Sequence, residues 1–91
     1  MRGETYEIFL LKEARKDKEK IKQFPAMRRS VDALLAILRI NPYQTPPPYE
    51  KLLGDMQGMY SRRINQQHRL VYDVDESEKI VRIIAMWRHY E

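Results

Sequence analysis

Tyr60-Ser61-Arg62-Arg63-Ile64-Asn65-Gln66-Gln67-His68-Arg69-Leu70-Val71-Tyr72 decides the fold, because its alternation of side chains specifies two strands and the faces they present. Arg62 and Ile64 in one run, and Leu70, Tyr72 and Val74 in the next, fall on alternate positions, as expected of half-buried strands. If Ile64, Leu70, Tyr72 and Val74 face the core, Arg63 and Arg69 both point to the opposite face. That parity requires a connection of odd length. A three-residue loop over Gln66-Gln67-His68 satisfies it, whereas a two-residue loop would set Ile64 beside Arg69 on one face.

Downstream, the acidic turn Asp75-Glu76-Ser77-Glu78 leads into a second apolar run, Ile80 to Trp87, which completes an antiparallel meander. Upstream, Thr5 to Leu11 reads as a first strand with Tyr6, Ile8 and Leu10 on one side. Lys12 to Lys22 is a charged helix whose apolar stripe, Ala14, Ile21 and Phe24, is narrow. Beyond Pro25, Met27, Val31, Leu34, Leu35 and Leu38 keep the spacing of one helix face. Asn41-Pro42 ends that helix, since a residue before proline is pushed out of the helical region. Tyr43 to Tyr49, with Pro46-Pro47-Pro48 inside it, is a stiff shaped loop that presents Glu50, and Gly54 and Gly58 flank a turn before the meander. The expected architecture is α+β, in the order β-α-α-β-β-β. Two N-terminal helices cover one face of a mainly antiparallel sheet and leave the other face open.

The 91 residues suit a single domain over 1–91, with one core and no linker. Seventeen Lys and Arg against thirteen Asp and Glu give a net charge of +4, which suits a polyanion such as RNA or an acidic protein segment as partner. With no cysteine, disulfides and thiolate metal sites are excluded. Neither an apolar signal core nor a run long enough to span a bilayer is present, so no membrane association and a cytoplasmic location are expected.

The charged and ring-bearing groups most easily placed on or beside the open face are Glu50, Arg63, Arg69, His89 and Tyr90. No metal motif, phosphate-cradling glycine loop or serine elbow accompanies them, and no cofactor is expected. A carboxylate, an imidazole and fixed cations form the minimum set for cutting RNA through its own 2′-hydroxyl: base, acid and charge stabilisation, with the nucleophile supplied by the substrate. Each residue also has an ordinary reading. Arg62, Arg63 and Arg69 suit a solvated basic sheet face, Glu50 beside Lys51 an exposed carboxylate, and His89-Tyr90 a chain end. On spacing alone, nuclease is the minority reading.

The same residues in the same order resemble the YoeB branch of the RelE-like bacterial toxins. Glu50, Gly58, Tyr60-Ser61-Arg62-Arg63-Ile64, His68-Arg69-Leu70-Val71-Tyr72 and His89-Tyr90 carry the likeness. Lys12-Glu13-Ala14, Lys16-Asp17 and Asn41-Pro42-Tyr43 extend it over nearly the whole chain. What the resemblance implies is a RelE-like fold and the toxin of a toxin–antitoxin pair, one that enters the ribosomal A site and cleaves the mRNA being translated. Carried over by position, Glu50 is the general base, His89 the general acid, Arg69 and Arg63 the phosphate clamp, and Tyr90 a positioning or stacking residue. Arg62 joins Arg63 as an RNA contact. The resemblance also implies an antitoxin of the YefM/Phd type whose C-terminal segment wraps the toxin, a tendency to homodimerise, and binding of operator DNA only together with the antitoxin.

Three departures stand out. Leu53 replaces a lysine that many relatives carry, Leu11 stands where a hydroxyl residue often caps the first helix, and Glu91 extends past the His-Tyr end. The competing readings are a non-catalytic ParE-like inhibitor that binds a protein target such as DNA gyrase, and a basic module acting only in an operator complex. A pure binder needs neither Glu50 nor His89.

Overall fold

In a computed structural model, which describes residues 5–88, the chain runs β1 (Glu7–Leu10), α1 (Lys12–Ile21), α2 (Pro25–Ile40), β2 (Glu50–Lys51), β3 (Tyr60–Arg63), β4 (Arg69–Asp75) and β5 (Ile80–Arg88). A short 3-10 turn, Gly54–Met56, joins β2 to β3. Gly54 and Gly58 bracket it at φ +67° and +94°, a backbone region that side chains with a Cβ rarely adopt.

Pro25 opens α2 at a position where its fixed φ fits and its missing N–H costs nothing. Met27, Val31, Leu34, Leu35 and Leu38 are all buried, as their spacing predicts. At Asn41 the backbone turns extended ahead of Pro42 and the helix stops. α1 has the thinner face: Ala14, Asp17 and Ile21 are buried, and Leu11 precedes it without a side-chain cap. Phe24 departs from the expectation. It lies beyond α1, at the N-cap of α2, half exposed and packed against Trp87 with ring centroids 5.8 Å apart. Truncating Leu35 to alanine is expected to cost about 2–5 kcal/mol, the usual range for a buried leucine, read as a lowered denaturation midpoint. An unchanged midpoint would mean that α2 turns another face to the sheet.

The sheet order is β1-β5-β4-β3-β2, in which β1 runs parallel to β5 and every other neighbouring pair is antiparallel. Leu70, Tyr72, Val81, Ile83 and Met86 meet the helices in one core. Two features correct the sequence reading. A fifth strand, β2, precedes the expected meander, and its two residues are too few for any periodicity to reveal. The β3–β4 loop is Asn65-Gln66-Gln67, one residue earlier than expected: the Ile64 N–H donates to the His68 carbonyl at 2.9 Å, and Asn65 Oδ1 accepts from the amides of Gln67 and His68 at 2.8 Å each. The asparagine turn fixes the closure point. Because the loop is still odd in length, Arg63 and Arg69 stay on one face, and the shift sets them directly opposite each other.

The β4–β5 ladder shifts register around Val71, where β5 bulges. Asp17 of α1 reaches across and accepts the Met86 N–H at 2.9 Å, which gives this buried carboxylate a partner and pins the helix to the bulge.

A second polar junction ties the loop after α2 to the β4–β5 turn. Glu76 accepts from Tyr43 Oη at 2.6 Å, from Tyr6 Oη at 3.0 Å and from Lys79 Nζ at 2.9 Å. The Tyr43 hydrogen bond first, and the Lys79 contact next, pull the Glu76 carboxyl down to about 2. A carboxyl depressed in the folded state stabilises the fold above its ordinary pKa, about 4.5, and that contribution is lost as pH falls toward the folded value. Glu76→Gln should therefore flatten the urea midpoint between about pH 4.5 and pH 2 relative to the parent. Parallel pH profiles for the two proteins would contradict the assignment.

Candidate functional site

The open face is organised in rows across the strands. Glu50 on β2 pairs with Ser61 on β3, Ser61 with Val71 on β4, and Val71 with Ala85 on β5. Ser61, Val71 and Ala85 are small and fully buried, so they form a shallow floor. In the next row Arg63 pairs with Arg69, and Arg69 with Arg88 in the backbone ladder. On the far side of the floor, Asp73 and Arg82 hold each other in a two-point ion pair at 2.8 and 3.2 Å.

Glu50, Ser61 and Arg69 meet where the first two rows adjoin. Arg69 Nη1 donates to Ser61 Oγ at 2.9 Å and lies 3.6 Å from Glu50 Oε1. The Arg69 side chain is 15% exposed and that of Glu50 65%, so the cation is held by its surroundings while the carboxylate stays open to a ligand. Arg63, across from Arg69, is exposed. The same face thus carries the Glu50 carboxylate and, at facing ladder positions, Arg63 and Arg69. His89 and Tyr90 lie outside the described residues. β5 itself ends at Arg88, the ladder partner of Arg69.

Arg62 is not where an RNA contact is expected. It pairs with Leu70 on the helix-facing side and is fully buried. The alternation that turns Arg63 outward necessarily turns Arg62 inward. Its Nη1 donates to the Pro47 carbonyl at 2.7 Å, its Nη2 to the carbonyls of Pro42 and Gln44 at 3.0 and 2.9 Å, and its Nε to Tyr72 Oη at 3.1 Å. Tyr72 Oη donates in turn to the Pro42 carbonyl at 2.8 Å. Burial pushes the Tyr72 phenol above its ordinary pKa, opposed by the neighbouring Arg62 cation. The ring of Tyr49 flanks the guanidinium at 5.1 Å, and Tyr60 packs against Tyr43, Tyr49 and Tyr72 at 5.8, 5.5 and 5.4 Å.

Sequence reasoning missed Ser61, whose hydroxyl accepts from Arg69. Leu53 is 81% exposed at the start of the 3-10 turn. No group of three or more His, Cys, Asp or Glu side chains able to hold a metal occurs among the described residues. No helix among them is long and apolar enough to cross a membrane.

A family model described as the YoeB-like toxin of bacterial type II toxin–antitoxin systems matches residues 10–90. The chain belongs to the YoeB-like toxins. The matched span contains Glu50, Arg63, Arg69, His89 and Tyr90. Toxin YoeB of Streptomyces coelicolor is 32% identical over 53 residues, 58% of this chain and 63% of that one, so the match spans under two thirds of the curated relative. Among solved structures, the YoeB/ParE toxin from Agrobacterium tumefaciens superposes with a TM-score of 0.85 at 28% identity, covering 92% of this chain and 99% of that one. The YoeB of Staphylococcus aureus, solved with YefM and as a dimer, gives a TM-score of 0.79 in both forms, at 32% and 31% identity, over 93% of this chain and 98% of that one. The YoeB-like architecture of two helices on a mixed five-stranded sheet is the one described above.

Proposed function

We propose that this YoeB-like toxin is an endoribonuclease that cleaves mRNA in the ribosomal A site. The observation that carries the proposal is the open-face cluster in which Glu50 lies 3.6 Å from Arg69, with Arg63 alongside. An incoming phosphodiester competes with Glu50 for Arg69, because a guanidinium fork suits two phosphate oxygens. The displaced carboxylate is then free to take the 2′-hydroxyl proton. The 2′ oxygen attacks the adjacent phosphorus, and Arg69 and Arg63 stabilise the charge gathering on the non-bridging oxygens. His89 protonates the departing 5′ oxygen, and Tyr90 positions or stacks on the RNA. The products are a 2′,3′-cyclic phosphate and a 5′-hydroxyl. No cofactor takes part, and Arg62 is not among the RNA contacts.

The proposal extends to partners. YefM is the companion of the S. aureus relative, and an antitoxin of the YefM/Phd type is the expected companion here, its acidic segment covering the arginine row. Homodimer formation, operator binding only with the antitoxin and a cytoplasmic setting complete the reading. The exposed Glu50 beside Arg69 favours cleavage over a ParE-like inhibitor of gyrase, which has no need of a base on that surface. Primer extension on mRNA from a translation reaction tests the activity: new stops within the coding region should require both protein and ribosomes. Full-length message with intact ribosomes present would overturn it.

A further inference from the structure

The proline-rich stretch between α2 and β2 needs a hydrogen-bond donor from elsewhere. Pro42, Pro46, Pro47 and Pro48 have no N–H, so the segment cannot join a ladder, and its carbonyls must find partners outside one. Arginine suits that need, with five N–H groups set in a rigid fork. Arg62 supplies them, and a wholly buried guanidinium satisfied by neutral oxygens is an uncommon use of a charge. The segment that it holds ends at Tyr49, immediately before Glu50.

We infer that Arg62 is a positioning residue for Glu50: it fixes the Pro42–Pro47 stretch and thereby sets the distance between the Glu50 carboxylate and Arg69. The inference rests on the reading of Glu50 as the general base. Local structure gives Glu50 little other support. β2 has only two residues at the sheet edge, pairing with Ser61 and Tyr60, and one further bond runs from the Leu52 N–H to the Met59 carbonyl at 2.9 Å. So short an edge strand does not by itself hold a side chain to the tolerance that proton transfer needs, about 0.5 Å. Arg62 is also next in sequence to Ser61, the ladder partner of Glu50, so β3 grips Glu50 from both sides, through its own backbone and through the loop.

Arg62→Lys separates this role from a general one in the core. Lysine keeps the buried cation but presents its donors from one point and cannot span the carbonyls of Pro42, Gln44 and Pro47. The crystal structure of Arg62→Lys should show the Glu50 carboxylate displaced from Arg69 by about 1 Å or more, and on ribosome-bound mRNA kcat should fall about 100-fold with KM unchanged. In a Glu50→Gln background the same substitution should cause no further loss. An unchanged separation of Glu50 from Arg69, a change confined to KM, or a loss that multiplies with that of Glu50→Gln would overturn the inference. If Glu50→Gln alone cleaved at the parent rate, the base reading would fail, while the displacement in the crystal would still decide what Arg62 holds. Tyr72→Phe, which removes one Arg62 partner and keeps the ring, should shift Glu50 in the same sense with a smaller loss of kcat, and gives a second measurement if the lysine variant does not fold.

Discussion

Arg69→Ala is expected to reduce cleavage of ribosome-bound mRNA to background, a loss of about 10²–10³-fold or more, while leaving the fold in place. The guanidinium sits at the junction of Glu50, Ser61 and Arg63, and its own strand aims it at the open face. As the phosphorane forms, charge builds on oxygens that water stabilises only by reorienting, whereas Arg69 is already oriented by Ser61. Its structural worth is smaller: one hydrogen bond to a hydroxyl and a loose ion pair with an exposed carboxylate, together about 1 kcal/mol. In a domain of this size that lowers Tm by roughly 4–8 °C. A variant that cleaves at the parent rate would remove Arg69 from the mechanism. One that unfolds would make it a structural residue.

His89→Gln should lower single-turnover cleavage about 100-fold or more, the usual consequence of losing a general acid. An imidazole of ordinary pKa, about 6.5, is mostly neutral near pH 7, so the proposed acid must be favoured in its charged form when RNA is bound. A bound substrate phosphate favours the charged form. Activity should therefore fall as pH rises through the pKa of His89 in the complex. Glutamine retains hydrogen bonding but transfers no proton, so the alkaline limb should vanish. An RNA with a 5′-thio leaving group needs little protonation and should recover much of the loss. Parent-level cleavage of ordinary RNA by His89→Gln would exclude the acid role.

Much of this arrangement is legible in the sequence because the two periods, helical and strand, are sharp where burial is one-sided. The face of α2 follows directly from Met27, Val31, Leu34, Leu35 and Leu38. The shared face of Arg63 and Arg69 follows from parity alone, and survives the one-residue displacement of the loop because parity depends only on odd length. The same parity turns Arg62 inward, yet charge argued for solvent. Composition gives no sign that a proline-rich loop will wrap that charge with carbonyls, since the bonds join residues 15 to 20 positions apart. β2 is invisible for a different reason: two residues have no period, and Glu50 is recognised through its place in a family pattern and not through any strand signal. Asp17 reads as one more charge on a basic helix, and only the bulge in β5 gives it the Met86 amide. The Glu76 junction likewise joins groups from three distant segments, a meeting that no local pattern announces.

The central claim is that this sheet face makes RNA cut itself through its own 2′-hydroxyl, with Glu50 as base. The most direct measurement uses mRNA in which the nucleotide 5′ of the mapped cleavage site carries a single 2′-hydrogen in place of the hydroxyl, loaded on ribosomes with the wild-type protein. The account predicts that cleavage at that site disappears while binding to the programmed ribosome is unchanged, and that the unmodified message yields a 2′,3′-cyclic phosphate. Cleavage of the deoxy-substituted message at the normal rate would contradict it, because the attacking oxygen would then come from water or from the protein.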